Sequence, residues 1–144
     1  MEKATKYFLV FVGIAYLGLG IWCTIDPTKT SNSVGFDLQP GHGQSEYLTV
    51  YGGLEVALGI IFLWPVMFRE DLNGTLRACL ILHACLVLFR TIGFFLFTDI
   101  KTTTFVLASV EWILFLGSIT LFLSNRKSRK SSSELTRASF KTRF

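Results

Sequence analysis

The segment that decides the fold is Leu48–Phe68, which reads LTVYGGLEVALGIIFLWPVMF. It holds a single charged side chain, Glu55. Its length matches the about 20 residues that a helix needs to cross a hydrocarbon core of roughly 30 Å. Further apolar blocks of this kind lie at about residues 7–25, 76–97 and 105–123. We therefore expect an all-α integral membrane protein, a bundle of four spanning helices within residues 1–124.

Residues 125–144 differ sharply in composition from these blocks. They read NRKSRKSSSELTRASFKTRF and contain few apolar side chains. Such a segment cannot bury enough apolar surface to offset the entropy of ordering, so we predict a disordered tail. We expect its basic side chains to serve mainly topology and solubility, with contact to anionic lipid beside the membrane as the alternative.

The Lys and Arg residues predict the orientation of the bundle. Two of the three predicted connections carry little positive charge, with only Lys29 and Lys101. The remaining connection and the two terminal segments carry Lys3, Lys6, Arg69, Arg77, Arg126, Lys127, Arg129, Lys130, Arg137, Lys141 and Arg143. Positive residues stay on the cytoplasmic side, so both termini are predicted to be cytoplasmic. The basic charge then reflects topology, and we expect no nucleic-acid partner.

Glu55, Arg90 and Glu111 are charged residues inside apolar blocks. A charge at mid-membrane costs roughly 2.5–3.5 kcal/mol on insertion scales, so a chain that carries several must pair them or use them. Each lies six or seven residues from the outer end of its predicted helix. At 1.5 Å per residue this places all of them about 10 Å below the outer boundary. The sequence therefore predicts one intramembrane polar cluster in the outer half.

The neighbouring residues indicate which helix faces carry this cluster. Gly52, Glu55 and Gly59 share one stripe, and small residues mark close helix contacts in membranes, so Glu55 should face protein. Tyr51 lies one turn before Glu55. His83 shares a face with Arg90 but lies deeper, where a hydrogen-bonded core histidine is the more common role.

The charge balance of the cluster leaves several interpretations open. Two carboxyls face one guanidinium. Either one carboxyl keeps a proton, because desolvation and a like charge disfavour a second buried carboxylate, or a cation or cationic ligand supplies the difference. Alternatively, Arg90 pairs with Glu55 or Glu111 only to hold the bundle together.

Chemistry of other kinds finds little support in the sequence. The histidines are His83 and His42, and His42 falls in a predicted loop, which argues against a haem held by two histidines. The Cys and His residues lack zinc spacing, and neither a phosphate-binding glycine loop nor a nucleophile elbow is present. We therefore expect no cofactor, no metal and no enzymatic activity.

The first predicted outer connection is the longest and runs from Asp26 to Tyr47. Gly35, Pro40, Gly41 and Gly43 predict turns within it. Its apolar residues Phe36 and Leu38 either fold back over the mouth of the bundle as a lid or lie in a plain surface connection.

The segment SEYLTVYGGLEVALGIIFL, Ser45–Leu63, resembles the second helix of a family of small bacterial four-helix membrane proteins of unknown function. The matching elements are Glu46, Tyr51-Gly52-Gly53, Arg90 with Gly93, and Glu111. Many members carry a basic residue about where Leu48 stands, so Glu46 lacks that partner here. The resemblance implies a multi-pass protein of the bacterial cytoplasmic membrane and no particular activity.

Together these features predict a small integral membrane protein with a polar intramembrane pocket. Glu55, Arg90 and Glu111 form it, with Tyr51, His83 and Glu46 as secondary residues. The pocket should bind a small amphiphile or engage a membrane-protein partner, including a second copy of the chain. The alternatives are a proton-coupled carrier of small molecules and a purely structural subunit of a membrane complex.

Overall fold

The computed structural model describes residues 2–141, and the side chains of residues 2–128. This part of the chain is all-helical and contains no strand. The helices are α1 (Glu2–Ile25), α2 (Pro27–Ser33), α3 (His42–Phe68), α4 (Leu72–Leu96) and α5 (Thr102–Lys141). Helix α3 is continuous, but its turns from Leu48 to Leu54 are π-helical.

Four of these helices are long and apolar enough to cross a membrane: α1, α3, α4 and α5 over Thr102–Ser128. Only 17% to 33% of the residues in their most apolar windows are buried within the chain. Large side chains such as Phe95 and Phe89 are 87% and 71% exposed. A soluble monomer rarely leaves so much contiguous apolar surface in water, whereas lipid accepts it. The four-helix bundle predicted from the sequence is thereby confirmed by helix length and composition.

The helices extend further than the apolar blocks. Helix α1 begins at Glu2 instead of about residue 7, and α4 begins at Leu72 instead of about 76. Helix α5 continues past residue 123 to Lys141, so its backbone includes most of the basic segment. Hydropathy detects only the part of a helix that fits in lipid, and backbone hydrogen bonding continues into polar residues. The disorder of the tail stays a prediction, and residues 142–144 lie outside the described residues.

The predicted connection from Asp26 to Tyr47 is not a simple loop, because α2 and the first turns of α3 lie within it. Asp26 starts α2 by accepting a hydrogen bond from the Lys29 backbone N at 3.1 Å. Pro27 follows at the first helical position, where its missing N–H costs nothing. A polar Asp-Pro pair thus begins a helix where hydropathy alone predicts a connection.

Glycines bring α1 and α3 into backbone contact. A Cβ on Gly59 would lie 2.8 Å from the backbone N of Leu17 and 2.9 Å from the carbonyl O of Gly13. A Cβ on Gly20 would lie 2.9 Å from the carbonyl O of Gly52. Neither position has room for a side chain, so the close helix approach predicted from the glycine stripe is confirmed.

The core lies at the middle of the bundle. Its buried apolar side chains come from four helices and comprise Leu9, Val12, Tyr16, Phe62, Cys79 and Leu114. At one end, the terminal end, Asn125 donates hydrogen bonds to Thr5 Oγ1 and Asn73 Oδ1, both at 3.0 Å. At the opposite end, the cap end, Lys101 Nζ donates to the Asn32 carbonyl O of α2 at 3.1 Å. The candidate site lies between this core and the cap end.

Candidate functional site

Arg90 and Glu111 form a two-bond ion pair between α4 and α5. Arg90 Nε donates to Glu111 Oε2 at 3.1 Å, and Nη2 donates to Oε1 at 2.6 Å. The side chains are 31% and 15% exposed, respectively. A planar guanidinium that meets both oxygens of one carboxylate gives a stronger and more directional contact than a single bond. The pair therefore holds α4 against α5 and has no net charge.

Glu55 lines the same cavity as Arg90 and Glu111 but has no ion pair within the described residues. Its Oε2 atom is buried and has no hydrogen-bond partner among them. Leaving a buried polar atom unpaired costs about 1–3 kcal/mol, and more when the group is charged. The structure thus brings all three intramembrane charges together, as expected, and pairs only two of them.

The cavity that these charges line has a volume of about 400 Å³. Small-molecule sites in proteins occupy about 300–1,000 Å³, with apolar walls and a few polar groups that orient the ligand. Here the apolar walls include Leu19, Leu86, Leu107, Val110 and Leu114. The cavity thus combines charged groups with apolar walls, an arrangement that suits a molecule with a polar head and an apolar body.

His83 forms the polar floor of the cavity and is completely buried. Its Nδ1 lies 2.8 Å from the Cys79 carbonyl O, which can only accept, so Nδ1 carries the proton. Its Nε2 then accepts from the Tyr16 hydroxyl at 3.3 Å. Both ring nitrogens are satisfied by a neutral imidazole. The role of a hydrogen-bonded core histidine fits this geometry, and His83 contributes no charge to the cavity.

Aromatic side chains lie at the cap end of the cavity. The rings of Tyr47 and Tyr51 are stacked, with centroids 4.7 Å apart and an interplanar angle of 17°. Phe36 contacts both, at centroid distances of 6.3 Å and 5.6 Å. The segment after α2 therefore contacts α3 through Phe36, which is 43% exposed and does not itself line the cavity, and the lid interpretation for Phe36 and Leu38 stays a prediction. We call Phe36, Tyr47 and Tyr51 the aromatic cap.

The secondary residues predicted from the sequence divide into two groups. Tyr51 and His83 line the cavity with the charged residues. Glu46 is exposed on the first turns of α3 and does not line the cavity. The resemblance that singled out Glu46 carries no information about helix rotation, and the structure leaves this carboxylate outside the site.

Sequence reasoning did not assign Tyr16 to the site, although Tyr16 lies on the same side of α1 as Gly13 and Gly20. Its ring packs edge-on against Phe62 and His83, at centroid distances of 5.5 Å and 5.9 Å. The sequence signal that could have identified Tyr16 is a polar aromatic residue within a stripe of small residues on one helix. Tyr47 and Trp22, which also line the cavity, gave no comparable signal.

The π-helical turns of α3 lie directly before Glu55 and include Tyr51. Wider turns rotate the residues that follow them relative to a regular helix, and such turns are frequent at functional sites. Gly52 and Gly53 lie within this segment. The local irregularity thus directly precedes Glu55, and α3 keeps its contact with α1 on both sides of it, at Gly52 and at Gly59.

A second cavity of about 420 Å³ lies at the terminal end. Its walls are mostly polar and include Glu2, Asn73, Asn125 and Ser128. The Asn125 hydrogen bonds that tie the helix ends together lie here. This cavity contains none of the intramembrane charges.

Among the described residues, no group of three His, Cys, Asp or Glu side chains is arranged to hold a metal ion. No protein-family model, curated protein or solved structure matches the chain. The resemblance to a bacterial four-helix family stays a prediction. The function of the protein must therefore be inferred from the geometry of the cavity.

Proposed function

We propose that the protein is a membrane-embedded binding protein whose cap-end cavity holds a small amphiphile. The observation that carries this proposal is an apolar cavity of about 400 Å³ that contains the unpartnered carboxyl of Glu55 beside the Arg90–Glu111 pair. A structural role alone accounts for the ion pair. It does not account for a costly unpaired carboxyl oxygen on a residue that lines a cavity large enough for a ligand.

The distribution of basic residues supports a particular orientation of this cavity. Lys3, Lys6 and Arg69 belong to the terminal end, and Lys29 and Lys101 belong to the cap end. By the positive-inside rule the terminal end is cytoplasmic, and the cavity then occupies the outer half of the bilayer. A bacterial cytoplasmic membrane is the location that the sequence resemblance supports.

A structural subunit is the second candidate, and the Arg90–Glu111 pair favours it. A bidentate pair between α4 and α5 is the kind of contact that holds helices in register. In that case a side chain of a membrane partner, or of a second copy of the chain, would occupy the cavity. A carrier finds less support, because the packed core around Leu9, Val12 and Phe62 separates the cavity from the terminal end.

Native mass spectrometry of the purified protein in mild detergent tests the proposal. Leu107 lines the cavity, so Leu107→Trp should fill it, whereas the neighbouring Val106 is 59% exposed and does not line it. We expect a reproducible small bound species with the wild type and with Val106→Trp, and its loss with Leu107→Trp. Both variants place a tryptophan at neighbouring positions of the same helix, which makes Val106→Trp the matched control.

Three results would contradict the binding proposal. One is the same bound species in all three proteins, which would place it on the lipid-facing surface. The second is an empty protein in every case, and the third is a bound polypeptide in place of a small molecule, and either of these would favour the structural subunit.

Labelling with a membrane-impermeant maleimide tests the orientation. Gln39 lies at the cap end and Lys3 at the terminal end, and both side chains are exposed. Gln39→Cys should label in intact cells and Lys3→Cys only after lysis, with the wild type reporting the background from the native cysteines. The opposite pattern would place the cavity in the cytoplasmic half.

A further inference from the structure

We infer that the ligand of this cavity is a small organic cation with an apolar body, such as an alkylammonium ion, whose positive head lies against Glu55. The inference rests on the proposed function, since it requires that the cavity binds a small molecule. It adds the sign of the ligand's charge and the residue that recognises it.

The fixed charges of the cavity point to a cation. Arg90 and Glu111 neutralise each other through two hydrogen bonds. His83 is held as a neutral imidazole by Tyr16 and the Cys79 carbonyl. Glu55 is left as the carboxyl that has no ion pair among the described residues, because the positive group in the cavity, Arg90, is paired with Glu111. When ionised it needs a positive partner, because a buried charge that is neither paired nor hydrogen-bonded is strongly unfavourable.

The aromatic cap supplies a second attraction for a positive head. Tyr51 lies one turn before Glu55 on α3, and its ring stacks with Tyr47. Trp22 lies on the opposing helix α1 and also lines the cavity. The faces of aromatic rings attract ammonium groups, by about 0.5–1 kcal/mol when exposed and about 2 kcal/mol or more when desolvated. A cation between Glu55 and these rings would meet both favourable groups at once.

An anionic or metal ligand fits less well. An anionic head would have to share Arg90 with Glu111, and it would then lie in a cavity that also contains Glu55. A metal ion prefers several oxygen, nitrogen or sulfur ligands, and the described residues contain no such group of three. The apolar walls formed by Leu86, Leu107 and Leu114 instead suit the hydrocarbon part of an organic cation.

Binding of three probes of equal chain length tests the inference: octyltrimethylammonium, octanol and octanesulfonate. Binding to the protein in lipid nanodiscs is followed by tryptophan fluorescence, since Trp22 lines the cavity. Leu107→Trp fills the cavity, so nanodiscs that contain this variant bind a probe only through the lipid. They are added as competitors of the wild-type nanodiscs, and the probe that they take up measures the lipid background. We expect octyltrimethylammonium to bind about tenfold or more tightly than the other two, a difference of about 1.4 kcal/mol.

Substitution of two carboxylates on one helix makes the test specific. Glu55→Gln should weaken octyltrimethylammonium binding about tenfold or more and leave octanol binding unchanged. Glu46→Gln is the matched control, because Glu46 is exposed on the same helix outside the cavity. It should bind all probes as the wild type does.

The outcomes separate the inference from the function on which it rests. One contrary outcome is that octanesulfonate binds more tightly than octyltrimethylammonium. Another is that all three probes bind equally, both to the wild type and to Glu55→Gln. Either would overturn the inference that the ligand is a cation but would leave the proposal of a binding cavity standing. Failure of every probe to bind above the Leu107→Trp background would overturn both. If Glu55→Gln and Glu46→Gln reduce the preference for the cation equally, that preference comes from the overall negative charge of the surface. This result would overturn the role of Glu55.

Discussion

The two sides of α3 differ in how they use the membrane interior. On one side Gly59 lies against the backbone of α1 and Gly52 against the Thr24 side chain of α1, and neither position has room for even one methyl group. On the adjoining side Glu55 and Tyr51 face a cavity of about 400 Å³. The packed side supplies the van der Waals contact that holds membrane helices together, because apolar burial gives little gain against lipid. The close contact on the glycine side allows the other side to remain open.

The largest expected effect belongs to the cavity side and concerns the ion pair. Arg90→Ala leaves Glu111 as a second unpaired carboxyl, so we expect a loss of about 3 kcal/mol in the free energy of unfolding, at the low end for a broken buried pair because the Arg90 side chain is 31% exposed. Thermal unfolding in detergent measures it. Arg77→Ala, an exposed arginine on the same helix, is the control. Similar losses for both variants would mean that the pair contributes nothing specific.

The next effect belongs to the packed side. Gly59→Ala places a Cβ 2.8 Å from the Leu17 backbone N, so α1 and α3 must move apart. We expect a loss of about 1–3 kcal/mol. Gly18→Ala is the matched control on α1, because a Cβ there meets nothing within 4 Å. Unfolding of the two variants should differ clearly, and equal stability would show that the helices do not touch at Gly59.

A smaller effect is expected at the floor of the cavity, where its polar groups meet the core. Tyr16→Phe removes the hydroxyl that donates to His83 Nε2 at 3.3 Å and leaves a buried acceptor unpaired. We expect a loss of about 1 kcal/mol. Tyr7→Phe removes an equivalent hydroxyl from a residue that is 72% exposed and should leave unfolding unchanged. A loss shared by both variants would argue against the Tyr16–His83 bond.

The smallest effect should come from Glu55→Gln. Oε2 of Glu55 has no partner to lose, so stability should change by less than about 1 kcal/mol, or increase. Glu111→Gln takes one of two matched carboxyl oxygens from Arg90 and should destabilise more. Unfolding of the two variants side by side checks this order. A large loss for Glu55→Gln would reveal a structural partner for Glu55 and weaken the case for a ligand.

The sequence predicted which charged residues form the candidate site, but it did not predict which of them pair with each other. Glu55, Arg90 and Glu111 were identified because each interrupts an apolar block, and they do line one cavity. Equal spacing from the helix ends was sufficient for that, since helix rise converts residue number into depth. Glu46 was included through a family resemblance, and the structure places it outside the cavity on an exposed surface.

The sequence by itself determined the four long apolar helices and the glycine stripe on which α3 approaches another helix closely, and the structure identified α1 as that helix. Length, hydropathy and the spacing of small residues are properties of each segment, so they can be read one segment at a time. The amount of basic charge near each helix end, and the orientation that it predicts, follow in the same way.

Only the tertiary structure decided that Arg90 pairs with Glu111 and leaves Glu55 alone, that Tyr16 holds His83 neutral, and that Phe36 closes against Tyr47 and Tyr51. Each of these contacts depends on how the helices are rotated about their own axes, and the π-helical turns before Glu55 change that rotation in α3. Rotation is set by the packing of all the helices together, which no single segment specifies.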